Sequence, residues 1–399
     1  MSHGNEIQIC QNTGRGRFFV RQTDKTVPKL SDIIIVTILR TGGIIREDEQ
    51  AREAWDELEK SIVANIADDV RVSVLGGSVE MVIEKQMPEI LGLDNPSKKL
   101  MFEPVTLDQL ARVYSYMSRF GESSCQHSAV SMYSHFEKYG DSFCIEQDVL
   151  YVLRQNLCDG EYRVYLAPFC ASDPKDAYLR ILEDARTYGK KVRFETLTGK
   201  QKIFVESAFP DLFEAVRCRD MDEYIYSYET MAEFPGKAHA RRRTEIRSFW
   251  RDFGERTKVT PMCASDLEEV EFLAERWLDL HCKEHNETAL RGEKICIERQ
   301  IEHFDTLGIT GTVIRIDGII KAFCYGVPLN DSCYNVLIEK GSRSFPGIYR
   351  VLRQESTRLN VASYSYINFE EDVGDPGLRR LKESYGPAYM IEKYQVRET

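Results

Sequence analysis

The chain has 399 residues, 42% of them hydrophobic and 29% charged, which is the composition of a folded protein too long for one ordinary core of roughly 100 to 200 residues. Its formal net charge of -11 repels nucleic acid on average and argues against a general DNA or RNA binder. The longest aliphatic run, Ile33 to Leu39, falls far short of the roughly 20 residues that span a bilayer, and no signal peptide opens the sequence, so two or three domains in the cytoplasm are expected, with no integral membrane segment.

The first hundred residues read as a small α/β unit. Strand-like runs cover Ile7 to Cys10, Arg17 to Arg21 and Ile33 to Leu39. An amphipathic helix follows from about Glu47 to Ile66, with Trp55 on its apolar stripe. Val70 to Leu75 and Val79 to Ile83 form a hairpin through Gly76-Gly77, where glycine supplies the positive φ of a tight turn. Leu93 to Lys99 reads as a linker, and nothing in this unit points to a function.

From Met101 the pattern lengthens. Thr106 caps a helix that turns Leu107, Leu110, Val113 and Met117 toward a core. SFCIEQDVLYVLRQ is a hairpin pair, VYLAPF a short strand, Asp176 to Tyr188 a helix closed by Gly189, and Lys191 to Leu197 a strand. Glu206 to Val216 is expected to be helical, and Asp222 to Tyr228 alternates as a strand. A basic helix over Lys237 to Phe253 buries Ile246, Phe249, Trp250 and Phe253, so its aromatics belong to a core rather than to a base-stacking platform. Helices over Asp266 to His281 and Ile295 to Leu307 precede strands Gly311 to Ile316 and Ile319 to Val327, joined by Asp317-Gly318, and a strand from Ser332 to Glu339. Gly347 opens a helix over Tyr349 to Leu359, and Ala388 to Tyr394 closes the chain as a strand.

The densest chemistry lies between these last two elements. Tyr364 to Phe369 alternates as a strand, with Asn368 on one side, and runs into Glu370, Glu371 and Asp372. Gly374 allows a turn, Asp375 is an N-cap and Pro376 the first helical residue. The helix then places Arg379 and Lys382 on one face, before Tyr385 and Gly386-Pro387 end it. Converging carboxylates, guanidinium and ammonium suit a polar or zwitterionic substrate. The alternative is a solvated ion-pair cluster at a sheet edge.

Eleven cysteines without a C-x-x-C pair point to reduced thiols. His281 and His285 have metal-like spacing but no third ligand, so no metal is expected. Between Lys237 and Lys258 eight basic residues face three acidic ones, a local positive stretch suited to phosphate.

Strand, helix, helix, and then a strand meander with a helix entered through glycine is the order of GNAT-fold acyltransferases. The run HFDTLGITGTVIRIDGIIKAFCYGVPLNDSCYNVLIEKG, followed by YSYINFEEDVGDPGLRRLKESYGPAYMIEKY, resembles the C-terminal domain of phosphatidylglycerol lysyltransferase and its soluble relatives of unknown function. MYSHFEKYGDSFCIEQDVLYVLR and RDMDEYIYSYETMAEFPGKAHARRRTEIRSF extend the resemblance over roughly Met101 to Arg397. It implies an α+β chain of two tandem GNAT-like domains, over 101–235 and 236–399, behind the small unit at 1–100, with the site at the domain junction.

The resemblance also implies transfer of an aminoacyl group from aminoacyl-tRNA to an amine or hydroxyl acceptor of unknown identity, without coenzyme A, and no cofactor is expected. Only Gly347 stands where a coenzyme A phosphate loop needs clustered glycines. The candidate catalytic residues are Glu371, Asp372, Arg379, Lys382 and Tyr385. The candidate substrate-binding residues are Lys237, His239 and Arg243 for the tRNA terminus, and Asn368, Glu370 and Gly374 at the corner. A coenzyme A dependent N-acyltransferase and a non-catalytic module on the same fold are the competing readings.

Overall fold

The computed structural model describes residues 8–11, 18–21, 69–75, 78–84, 99–171, 173–281 and 287–399. The chain divides into two compact units, Met1–Gly92 and Leu93–Thr399. In the first, β1 (Gln8–Gln11) pairs antiparallel with β2 (Phe18–Arg21), and β3 (Asp69–Leu75) with β4 (Ser78–Glu84). The expected strand at 33–39, the helix at 47–66 and the linker at 93–99 lie largely outside the described residues, as does the side chain of His285.

The second unit is built on two seven-stranded mixed sheets. The first contains β5 (Glu103–Pro104), β6 (Asp141–Glu146), β7 (Val149–Arg154), β8 (Tyr162–Tyr165), β9 (Lys191–Thr198) and β10 (Phe213–Arg217). The second takes β11 (Glu223–Ser227), β12 (Thr257–Pro261), β13 (Thr310–Ile316), β14 (Ile319–Asn330), β15 (Cys333–Gly341), β16 (Tyr366–Glu371) and β17 (Tyr389–Ile391). The last strand, β18 (Lys393–Glu398), returns to the first sheet between β9 and β10, while β11 sits between β16 and β17. The chain therefore crosses between the sheets twice, near Asp222 and near Glu392. The boundary expected at 235 and 236 falls after the first of these crossings.

Local chemistry explains most of the elements. Asp317 and Gly318, with φ of 54° and 80°, make the tight turn from β13 to β14, whose twist matches the strands it joins. Leu110–Phe120 buries Leu110, Val113 and Met117 on one face. Trp250 departs from expectation. Ile246 and Phe249 of the helix Ala240–Phe253 are buried, but Trp250 is more than a third exposed.

Three expected elements are corrected. The helix expected over Glu206 to Val216 is instead Gly199–Ala208, followed by strand β10. Thr198 and Gln201 form a capping box that starts it early, and Phe209-Pro210 stops it because proline cannot continue a helix. The helix expected from Ile295 to Leu307 runs from Glu287 to Glu302. The single strand expected from Ala388 to Tyr394 is two, β17 and β18, because the chain changes sheets at Glu392.

One hydrophobic core spans both sheets. Val113, Phe143, Leu150 and Phe169 pack in the same cluster as Val270, Phe304, Phe323 and Tyr325. Full burial of each large apolar side chain is worth about 1.5–3 kcal/mol, so the two sheets fold as a joint structure. A second cluster, with Ile348, Val351 and Leu352 of the helix Ile348–Asn360, covers the far face of the second sheet.

Candidate active site at the strand-turn-helix corner

Strands β15 and β16 run parallel, but pair only from Cys333 with Tyr366 to Asn335 with Asn368. Beyond that they diverge. The wedge between them holds the half-buried Arg353–Glu339 ion pair, with N···O distances of 2.8 to 3.0 Å, and the Arg353 guanidinium lies 4.7 Å from the Tyr385 ring centre. Tyr385 is itself buried, receives a 2.5 Å hydrogen bond from Arg350 and packs against Phe234 and Tyr226.

The end of β16 departs from simple alternation. Against β11 its register shifts between the pair Ile225–Asn368 and the pair Glu223–Glu371, and Glu370 adopts a φ of 60°. An extra residue of this kind bends a strand and re-aims its side chains. The consequence is that Glu370 and Glu371, successive in sequence, both line one narrow cleft of about 50 Å³ together with Cys125, Gln126, His135 and Arg154.

Two residues hold this strained turn from behind. The Lys382 ammonium donates to the backbone carbonyls of Phe369, Glu370 and Glu371, at 2.7, 3.3 and 2.5 Å, which uses all three of its donors. Burial lowers its pKa. Asp372 is fully buried. It accepts from Tyr224 at 2.6 Å, from Arg379 at 2.7 and 2.9 Å, from Arg219 at 3.2 Å and from the Gly374 N–H at 3.0 Å. Burial alone would raise its pKa, but these partners more than offset it and hold the group well below the usual carboxylate range.

The structure thus separates the corner residues expected to act together. Glu370 and Glu371 face the cleft. Asp372, Arg379 and Lys382 brace the backbone that presents them, and Tyr385 fills the wedge. Asn368 is buried and wired, donating to Ser123 O at 2.8 Å and to Glu223 at 2.5 Å while accepting from the Glu370 N–H at 2.7 Å. At Gly374, where space for a ligand was expected, an added Cβ would lie 3.0 Å from the Asp220 carboxylate, so a side chain already occupies that approach.

The basic helix contributes differently. Arg243 donates to the carbonyls of Phe234 and Gly236, tying down the end of the helix Tyr228–Glu233. His239 is buried against Phe234, with its pKa lowered by burial and by the neighbouring arginines Arg242 and Arg243. Lys237, by contrast, is exposed.

Beneath the cleft lies an ion pair that sequence reading missed. Glu223 and Lys393 are both fully buried and 2.7 Å apart. Glu223 also accepts from Ser124 Oγ at 2.8 Å and from the Cys125 N–H at 2.9 Å. Burial raises the Glu223 pKa, but Lys393 and these hydrogen bonds outweigh it, so the carboxylate is held ionised. An acid opening the aromatic-rich strand β11 and a lysine opening β18 were the available signal.

Burial, followed by the adjacent Glu371, pushes the Glu370 pKa up to about 8, although the Asn335 amide donates to it at 2.9 Å. An acid whose folded pKa is raised binds a proton that the unfolded chain has lost. Its contribution to stability is therefore full below the ordinary value near 4.5 and is lost as pH rises through about 8. Glu370→Gln cannot ionise. Urea unfolding at a series of pH values should show the wild type losing stability relative to this variant between about pH 4.5 and 8, with no further divergence above.

A wider groove of about 570 Å³, lined by Glu122, Thr198, Lys200, Tyr389 and Met390 among others, lies along the same loop. Gly121 to Ser123 line the groove, and Cys125 and Gln126 line the cleft. Among the described residues no group of three or more His, Cys, Asp or Glu is placed to hold a metal ion, and no helix is long and apolar enough to cross a membrane. The nine cysteines whose side chains are described are all free thiols.

Two mixed sheets with diverging parallel strands and a polar corner at their junction define a tandem GNAT-like fold. A conserved protein of unknown function from Bacteroides thetaiotaomicron matches with a TM-score of 0.70 and 26% identity over 75% of this chain and 100% of that one. The L-PGS of Bacillus licheniformis matches with a TM-score of 0.53 and 15% identity, covering 75% and 94%. FemX matches with a TM-score of 0.50 and 10% identity, covering 74% and 97%. Residues 119–397 match the family described as phosphatidylglycerol lysyltransferase, C-terminal. The chain belongs to that family.

Proposed function

We infer that the protein is an aminoacyltransferase that takes its aminoacyl group from aminoacyl-tRNA and passes it to an amine or hydroxyl acceptor. Family membership and the likeness in fold to L-PGS and FemX support the coarse class. The observation that carries the finer reading is the bulge that turns Glu370 and Glu371 together into one cleft. Two carboxyl groups side by side, one of them holding a proton near neutral pH, suit an ammonium group, whose charge favours ionising both and which every aminoacyl ester carries. The ester is already activated, so the protein's task is to hold that ammonium, align the acceptor and stabilise the developing oxyanion. Glu370 and Glu371 do the first. Asp372, Arg379, Lys382 and Asn368 hold them in place. The wider groove beside the loop from Gly121 to Gln126 gives the second substrate room, and the exposed Lys237, Arg241 and Arg247 offer charge to the tRNA backbone.

At the helix start where a coenzyme A pyrophosphate would have to approach, the neighbouring helix Ala240–Phe253 packs closely. A Cβ added at Gly347 would lie 2.9 Å from the Glu245 carbonyl oxygen, and the Glu245 carboxylate sits 3.2 Å from Arg350. This favours the aminoacyl donor over the coenzyme A reading.

The test is a screen of labelled aminoacyl-tRNAs, each incubated with the protein and cell extract. Protein-dependent loss of the aminoacyl group from at least one tRNA is expected. If none is consumed while acetyl-coenzyme A raises the melting temperature, as a ligand of the native state must, the coenzyme A reading takes its place.

A further inference from the structure

The cleft that the two glutamates line is also lined by Lys138 and Arg154, a basic side that sequence reading did not select. Gly140, with a φ of 60°, ends the short helix Phe136–Tyr139 and turns the chain into β6. The β6–β7 register then sets Asp141, the first residue of one strand, against Arg154, the last of the other. Both line the cleft and both are buried, at 1% and 3% exposure.

This pair is incomplete. Arg154 Nε and Asp141 Oδ1 approach to 3.4 Å, yet neither atom has a hydrogen-bond partner. Buried polar atoms left in this state are uncommon and costly. The remaining contacts of Arg154 are one 2.6 Å hydrogen bond to Gln126 and the Tyr139 ring, whose centre lies 4.3 Å away. Burial also pushes the Asp141 pKa up to about 6, against the pull of Arg154, and the Arg154 Nε–H keeps an unused donor. Lys138 lines the cleft as well. The cleft is therefore bipolar. The acidic wall reaches the basic one through Cys125, whose Sγ lies 3.6 Å from Glu371, and Gln126, which contacts both Cys125 and Arg154.

We propose that this cleft binds a free amino acid as a small zwitterion, with its ammonium at Glu370 and Glu371, where the aminoacyl ammonium is placed above, and its carboxylate at Arg154, so that a free amino acid competes with the aminoacyl group for the cleft. The proposal rests on the cleft being a substrate pocket, as read above. An amine joined to a phosphate shares the chemistry of an ammonium a few bonds from an anion. The narrow space, the single guanidinium and the neighbouring Asp141 carboxyl favour a singly charged carboxylate over a phosphate dianion.

Thermal-shift and calorimetric titrations of the whole protein test this with three sets of probes: the twenty free amino acids, their amides, which lack the carboxylate, and phosphoethanolamine. At least one free amino acid is expected to bind at least about tenfold more tightly than its amide, a difference of about 1.4 kcal/mol. Arg154→Gln and Arg154→Lys should bring the free amino acid down toward the amide and leave the amide unchanged. The wild-type comparison needs no variant, so it stands if either substitution fails to fold. Equal binding of acid and amide, tighter binding of phosphoethanolamine, or no binding by any of the twenty would each overturn the proposal. Aminoacyl-tRNA consumption without zwitterion binding would sink this inference alone, whereas zwitterion binding without consumption would sink only the transfer reading.

Discussion

Glu223→Gln and Lys393→Met, each made alone, are expected to cost about 3–5 kcal/mol, because each leaves the other charge buried and unpaired. In a chain of this size that is a fall in melting temperature on the order of 10 °C. The two residues are fully buried and 2.7 Å apart, and they join β11 to β18, the two strands that cross between the sheets. The double variant Glu223→Gln with Lys393→Met should recover much of the loss, since replacing both members of a buried pair is often near neutral. Additive losses in the double variant, read by urea unfolding, would show that the two charges are not energetically coupled.

Asp372→Ala is expected to destabilise the protein by roughly 2 kcal/mol, because it strands the Tyr224 hydroxyl and the Gly374 N–H while the more open Arg379 can turn to water. Sequence reasoning named Asp372 a candidate catalytic residue, for which the main effect of substitution would fall on turnover. The brace geometry moves it to stability. The pH dependence provides a check. Asp372 has a depressed pKa, so its contribution is complete above its ordinary value near 3.8 and declines as pH falls below it. The gap between wild type and variant, measured by urea unfolding, should therefore be constant from about pH 5 upward and shrink on acidification.

The corner shows what local sequence can and cannot carry. Asp375 caps the helix Pro376–Ser384 through the Leu378 N–H, as its position before a proline predicts, because a cap depends only on neighbours in the chain. The bulge at Glu370 depends on β11, almost 150 residues away, and no local pattern reveals it. For the same reason Asp372 and Glu371 look alike in sequence yet face opposite ways. Arg154 and Asp141 sit at the open end of a legible hairpin, where charges ordinarily meet water; only the packing of that end against β16 makes them a wall of the cleft. The split of the last strand at Glu392 is set by partners distant in sequence, since Tyr389–Ile391 pairs with β11 and Lys393–Glu398 pairs with β9 and β10.

The separation of presented acids from bracing residues is the central claim, and single-turnover loss of the aminoacyl group in Glu371→Gln, followed alongside its melting temperature, tests it most directly. With an aminoacyl-tRNA that the wild type consumes, the rate in Glu371→Gln should fall at least about tenfold, some 1.4 kcal/mol of transition-state stabilisation, with the melting temperature unchanged. A wild-type rate in Glu371→Gln, together with an inactive but fully stable Asp372→Ala, would contradict the account and return the chemistry to the residues assigned here to the brace.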